Sequence, residues 1–153
     1  MNKILKSEEL ETVINNIKDK NGKIILTNGC FDILHIGHAR YLKEAKKLGG
    51  YLFIGINSDA SVKLLKGESR PINNENDRAE LMSYFEFVDY VTIFSEKTAD
   101  NLILNVQPDI YVKGGDYNKE SLPESDTIDQ INAEVTFIKL IKGYSTTKSI
   151  ERF

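Results

Sequence analysis

Two histidines occur in the 153 residues of the chain, and they stand three apart as His35-Ile36-Gly37-His38. At the start of a helix, residues spaced this way turn their side chains to the same side. Gly37 between them removes a side chain, so a ligand can come close to the backbone. The unpaired N–H groups of a first helical turn, and the helix dipole, favour an anion. Imidazole N–H donors beside them suit phosphate oxygens whose charge grows during a reaction. No serine, cysteine or carboxylate stands out as a nucleophile paired with a base. The chemistry indicated is therefore alignment of two reactants and stabilisation of charge on phosphate.

The elements that would position these groups follow from hydrophobic periodicity. A helix is expected after Ser7, with Leu10, Val13, Ile14 and Ile17 on one face, ended by Asn21-Gly22. Lys23–Thr27 and Tyr51–Ile56 read as strands, with Gly37–Leu48 as the helix between them. Further along, Glu75–Phe85 reads as helix, Val88–Phe94 as strand, Ala99–Val106 as helix and Ile110–Val112 as strand. Ser125–Asn132 follows as helix, Val135–Ile141 as strand and Thr146–Arg152 as a closing helix. This alternation predicts an α/β fold, a Rossmann-like doubly wound sheet of five parallel strands covered on both faces. One domain is expected over 1–153, an N-terminal helical segment 1–21 leading into an α/β core 22–153.

Polar residues gather after the strands. Asn28-Gly29-Cys30-Phe31-Asp32 follows the first, Asn57-Ser58-Asp59 the second, Lys113-Gly114-Gly115-Asp116 the fourth and Gly143-Tyr144-Ser145-Thr146-Thr147 the fifth. Open parallel sheets bind ligands beyond the carboxyl ends of their strands, so a polar ligand is expected at that edge.

Composition narrows the field. A net charge of −3 argues against a general nucleic-acid binder. A single cysteine, Cys30, rules out an intrachain disulfide framework and suits a reducing compartment. No signal-peptide pattern opens the chain and no apolar run is long enough to span a bilayer. The expectation is a cytoplasmic protein that binds neither nucleic acid nor membrane.

Thr27–Asp32 followed by His35-Ile36-Gly37-His38 resembles the signature of the cytidylyltransferase-like branch of the HIGH-motif nucleotidyltransferases. Gly67-Glu68-Ser69-Arg70-Pro71-Ile72, Asp77-Arg78-Ala79-Glu80-Leu81, Lys113-Gly114-Gly115-Asp116-Tyr117 and Gly143–Thr147 extend it. Together these segments are similar to the adenylyltransferase domain of ADP-heptose synthases, from about Gly22 to Arg152. The resemblance implies the HIGH-type fold and transfer of AMP from ATP to a heptose 1-phosphate, with release of pyrophosphate. It implies that His35, His38, Lys66 and Thr146 act on the phosphates. It assigns Asn28, Gly29, Cys30, Phe31, Asp32, Gly37, Lys113, Gly114, Gly115, Asp116, Tyr144, Ser145, Thr146 and Thr147 to the nucleotide. Arg70 and Arg78 are implied as contacts to the substrate phosphate. Mg²⁺ is expected with ATP, held mainly by phosphate oxygens and water, with Asp32 as its one candidate protein ligand. A homodimer or larger assembly is implied. Many relatives are fused to a sugar kinase, which this sequence does not contain, so a separate kinase and phosphatase would supply the sugar phosphate. Ser149 stands where relatives tend to carry an apolar residue, which implies a packing change.

Other readings compete. A zinc site could use the two histidines with Cys30 and Asp32, but no second cysteine pair or helical His-Glu-x-x-His supports it. Cys30 could simply be packed, and Lys66 and Arg70 merely solvated. Arg78 could pair with Glu75, Asp77 or Glu80, Gly114 and Gly115 could serve only a turn, and Ser145–Thr147 only an N-cap. At the level of function, the alternatives are a CTP-dependent transferase acting on glycerol 3-phosphate or a similar alcohol phosphate, and a nucleotide-binding module without turnover.

Overall fold

Ile24, Ile25 and Leu26 have no exposed surface at all, the condition of a central strand covered on both faces. The computed structural model describes residues 2–115 and 118–139. In chain order the elements are β1 (Ile4–Leu5), α1 (Ser7–Asp19), β2 (Ile24–Gly29), α2 (Ile36–Lys46), β3 (Tyr51–Asn57), α3 (Asp59–Lys66) and α4 (Glu75–Ser83). They continue with β4 (Tyr90–Phe94), α5 (Asp100–Val106), β5 (Ile110–Gly114), a 3₁₀ turn at Lys119–Ser121, α6 (Ser125–Gln130) and β6 (Glu134–Ile138).

Among the described residues the sheet has six strands in the order β1-β4-β3-β2-β5-β6, and every neighbouring pair is parallel. The chain builds outward from β2 through β3 to β4, then returns to place β5 on the other side of β2. The order therefore reverses at the β2/β5 seam, where a crevice opens beyond the strand ends.

Alternation along the strands divides the core. Ile24, Leu26, Phe53 and Tyr111 pack with Leu10, Ile14 and Ile17 of α1, Leu102, Ile103 and Val106 of α5, and Ile128 of α6. Ile25, Leu52, Ile54, Ile56 and Val112 face the opposite way, onto Tyr41, Leu42 and Ala45 of α2 and Ala79 and Met82 of α4. Each such side chain, once fully buried, contributes about 1.5–3 kcal/mol relative to exposure. Gly55 in β3 marks a close approach: a Cβ there would lie 2.3 Å from Leu102 Cδ2 of α5.

Two features depart from the sequence expectation. The sheet has six strands rather than five, because Ile4–Leu5 adds an edge beside β4. Lys3 O accepts from Val91 N, and Leu5 O accepts from Thr92 Oγ1. A two-residue strand leaves no periodicity to read. The segment between β3 and Gly67 is the helix α3, where the sequence pattern supplies no element. Ser58 caps it by accepting from Ser61 N, and Gly67 ends it at φ 102°. Its Leu64 and Leu65 are exposed, so the apolar pattern that announces a helix is blurred. No helix of the described residues is long and apolar enough to cross a membrane. The expected closing helix Thr146–Arg152, with Ser149, lies outside the described residues.

Candidate active site

The turn after β2 and the mouth of α2 carry the histidine pair. His35 is the extended N-cap of α2, at φ −138° and ψ 174°, and its backbone N–H donates to His38 Nδ1 at 3.2 Å. The two rings stack with centroids 3.9 Å apart and planes 20° from parallel. With Nδ1 accepting, a neutral His38 carries its proton on Nε2 and has that atom as a donor. Burial, reinforced by neighbouring His35, pushes the His38 imidazole down to about 4. Burial also lowers His35. Both rings are therefore neutral donors at physiological pH, ready to gain from an arriving anion.

Phe31 takes φ 46°, an uncommon conformation for a bulky residue and a local strain of the kind seen where a turn is fixed for function. Its ring meets His38 edge-on at 5.4 Å and 69°. Gly29 makes room for it, since a Cβ there would lie 3.0 Å from the Phe31 ring. The α2 helix is fastened over the seam by Tyr41, whose hydroxyl lies 2.7 Å from Thr27 Oγ1 of β2 and donates to Val112 O of β5 at 3.2 Å. Tyr111 of β5 donates to Asn28 Oδ1 of β2. Sequence reading gave Thr27, Tyr41 and Tyr111 no such role; only their places at helical or strand spacing were visible.

A second cluster arrives from the 67–78 segment. Asp32 is buried, and its Oδ1 accepts from Ile72 N at 3.0 Å and Asn73 N at 2.9 Å. Its Oδ2 accepts from Ile72 N at 2.9 Å and Arg70 Nε at 2.8 Å. Asn73 Nδ2 donates back to Asp32 O at 2.7 Å. Burial by itself would raise the Asp32 carboxyl, but the N–H groups of Asn73 and Ile72 and the Arg70 guanidinium outweigh it and hold the group below the usual carboxylate range. Both oxygens are thus taken up by the protein.

Arg78 lies beneath the site and not in it. It is 2% exposed. Its Nε donates to Asn73 O at 2.9 Å, Nη1 to Cys30 O at 2.7 Å and to Asn57 O at 2.8 Å, and Nη2 to Asp59 Oδ1 at 2.8 Å. That geometry clamps three segments at the strand ends and offers little to a substrate phosphate. Its acidic partner is Asp59 of α3 rather than Glu75, Asp77 or Glu80. The role of Asn57 and Asp59 was not visible in sequence, although the pair was marked as part of a polar strand end.

Cys30 sits between the clusters. Burial raises its thiol, and the opposing pull comes first from Lys66, then Arg78 and Arg70. A protonated thiol, 3.9 Å from Asn57 Oδ1, is no nucleophile. Lys66, the exposed last residue of α3, thus sends its positive field to the end of β2. Lys113, at the end of β5, has its ammonium 5.9 Å from the centroid of the Tyr111 ring. Burial lowers Lys113, with Glu124 and Cys30 pulling the other way. Gly114 closes β5, and Gly115 turns at φ 108°, its N–H donating to Ile138 O at 3.0 Å, so a glycine is required there by the turn itself. Asp116, Tyr144, Ser145, Thr146 and Thr147 lie outside the described residues.

Among the described residues no group of three or more His, Cys, Asp or Glu side chains could hold a metal ion. Asp32 does not fit as a Mg²⁺ ligand, because each of its oxygens already accepts two N–H bonds.

Comparison with known proteins places this arrangement. The cytidylyltransferase-like family model matches residues 26–152, from Leu26 within β2 through every element that follows it. The bifunctional protein HldE of a Nitratiruptor species is 51% identical over 145 residues, 95% of this chain and 30% of that protein. The protein of the same name from Campylobacter concisus is 49% identical over 150 residues, 98% of this chain and 30% of that protein. The chain therefore spans about 30% of the length of these curated relatives. The crystal structure of the lipopolysaccharide core biosynthesis protein from Thermoplasma volcanium superposes with a TM-score of 0.63 at 33% identity, covering 81% of this chain and 99% of that one. From motif, fold and these likenesses alike, the chain belongs to the cytidylyltransferase-like family and is a nucleotidyltransferase.

Proposed function

We propose that the chain transfers AMP from ATP to a heptose 1-phosphate, giving ADP-heptose and pyrophosphate. The observation that carries this reading is the stacked His35/His38 pair at the mouth of α2, its tautomer set by the His35 N–H, beside the seam where the strand order reverses. Support for the acceptor comes from the ordered motifs shared with ADP-heptose synthase adenylyltransferase domains. The names of the HldE relatives and of the lipopolysaccharide core biosynthesis protein point the same way.

In this reading His35 and His38 take the triphosphate, with Lys66 reaching across from α3 and the backbone of Gly29–Phe31 and Gly37 lining the phosphate path. Lys113, Gly114, Gly115 and Asp116 border the nucleotide. Tyr144 borders the nucleotide as well, and Ser145, Thr146 and Thr147 add donors to the β- and γ-phosphates. An oxygen of the sugar 1-phosphate, already anionic, attacks the α-phosphorus. The bond from that phosphorus to the β-bridging oxygen breaks, and its electron pair leaves with pyrophosphate. No proton must be removed from the nucleophile, so no enzyme base is needed. Alignment of the two reactants can lower the barrier by roughly 7–11 kcal/mol, and neutral imidazole donors stabilise the charge that grows on the leaving group. Mg²⁺ would accompany ATP through phosphate oxygens and water, supplying charge neutralisation there.

Pyrophosphate release across ATP, CTP and GTP, each with heptose 1-phosphates and with glycerol 3-phosphate, tests the reading. Turnover is expected with ATP and a heptose 1-phosphate. Turnover confined to CTP and glycerol 3-phosphate, or tight ATP binding with no pyrophosphate from any acceptor, would overturn it.

A further inference from the structure

Asp32 stands three residues ahead of His35, yet its side chain is 0% exposed and committed to a segment 38 to 41 residues further along the chain. It receives Arg70 through Nε alone. An arginine gripped by Nε keeps the Nη pair of its planar fork for a second anion. The Arg70 side chain retains 11% exposure, and its Nη groups take no hydrogen-bond partner among the described residues. Arg78, eight residues on, has Nε, Nη1 and Nη2 all engaged by the protein. Of the two arginines on this segment, only Arg70 is built with donors left over.

We infer that Asp32 is a positioning residue, holding Arg70 by Nε so that its Nη edge meets the phosphomonoester of the acceptor. The inference rests on the reading of the chain as a transferase with a phosphorylated acceptor. It replaces the expected Asp32–Mg²⁺ contact with a different task. The same carboxylate grips the backbone of Ile72 and Asn73, so one side chain ties the acceptor wall to the turn that leads into the histidines. Asp32 acts through Arg70, and its loss is felt where the acceptor binds rather than where ATP binds.

The test is a double-mutant cycle with Asp32→Asn and Arg70→Ala, measuring acceptor KM, ATP KM, kcat and the Mg²⁺ concentration for half-maximal rate. Each single variant is expected to raise acceptor KM about tenfold, the scale of one charge-assisted hydrogen bond, with ATP KM and the Mg²⁺ requirement unchanged. Asp32→Asn added to Arg70→Ala is expected to have no further effect on acceptor KM. Arg70→Lys, which keeps the cation but loses the fork, is expected to behave as Arg70→Ala; it carries the test if Asp32→Asn does not fold. Normal acceptor KM in that variant would overturn the inference. A rise in ATP KM or Mg²⁺ requirement in Asp32→Asn would overturn it, as would full multiplication of the two effects. An unchanged acceptor KM in Arg70→Ala would remove Arg70 from the acceptor site, whereas the absence of pyrophosphate release by the unmodified protein is the separate failure of the functional reading.

Discussion

The histidine wall at the start of α2 and the arginine wall on the 67–78 segment meet at the end of β2, and they are held in place by opposite means. His35 and His38 are fixed by their own helix mouth, one N–H to one ring nitrogen three residues on, with Phe31 against the second ring. Arg70 and Arg78 are fixed by partners in the turn after β2, on β3 and on α3, far away in sequence. The local wall owes little to the rest of the fold and is neutral until a ligand arrives. The long-range wall is charged, paired and part of what holds the strand ends together. Substitutions in the first should therefore be felt in turnover, and substitution of Arg78 in the second should first be felt in stability.

The largest effect is expected at Arg78. Arg78→Ala removes four hydrogen bonds and leaves three carbonyls, the buried one of Asn57 among them, without this donor, so denaturant unfolding should show a loss of about 3–5 kcal/mol. A variant as stable as the parent, altered only in KM, would erase the contrast between the walls. Next comes His38→Ala. Loss of one donor to developing charge should lower kcat by about 10²-fold, while the unfolding midpoint stays close to that of the parent because the ring is only partly buried. A stability loss as large as that of Arg78→Ala, with turnover preserved, would place His38 among the structural residues.

The same contrast explains what could be read from sequence. The histidine pair, the glycine between them and the strand–helix alternation are short-range patterns, and the periods of 2 and 3.6 residues carry them. The parallel, doubly wound sheet followed from that alternation. The two-residue β1 has no period to detect, and α3 hid behind the exposed Leu64 and Leu65. For Arg78, Glu75, Asp77 and Glu80 were the obvious acidic neighbours, but the fold brings Asp59 and three carbonyls to it instead. For Asp32, a metal was the natural expectation of a carboxylate beside a phosphate motif. Its real partners come from 38 to 41 residues away, a distance over which only the fold decides.

The most direct test of the central claim is a histidine NMR titration, which the presence of only two histidines makes unambiguous. In the free protein His38 should titrate at about 4, below the ordinary value near 6.5. The unfolded chain then takes up this proton before the folded one does. This contribution to stability is complete above pH ~6.5 and is lost as the pH falls towards about 4. Binding of a non-hydrolysable ATP analogue should raise the midpoint, since a phosphate beside the ring favours the imidazolium. Titration of both rings near pH 6.5, with no shift when the analogue binds, would contradict the account.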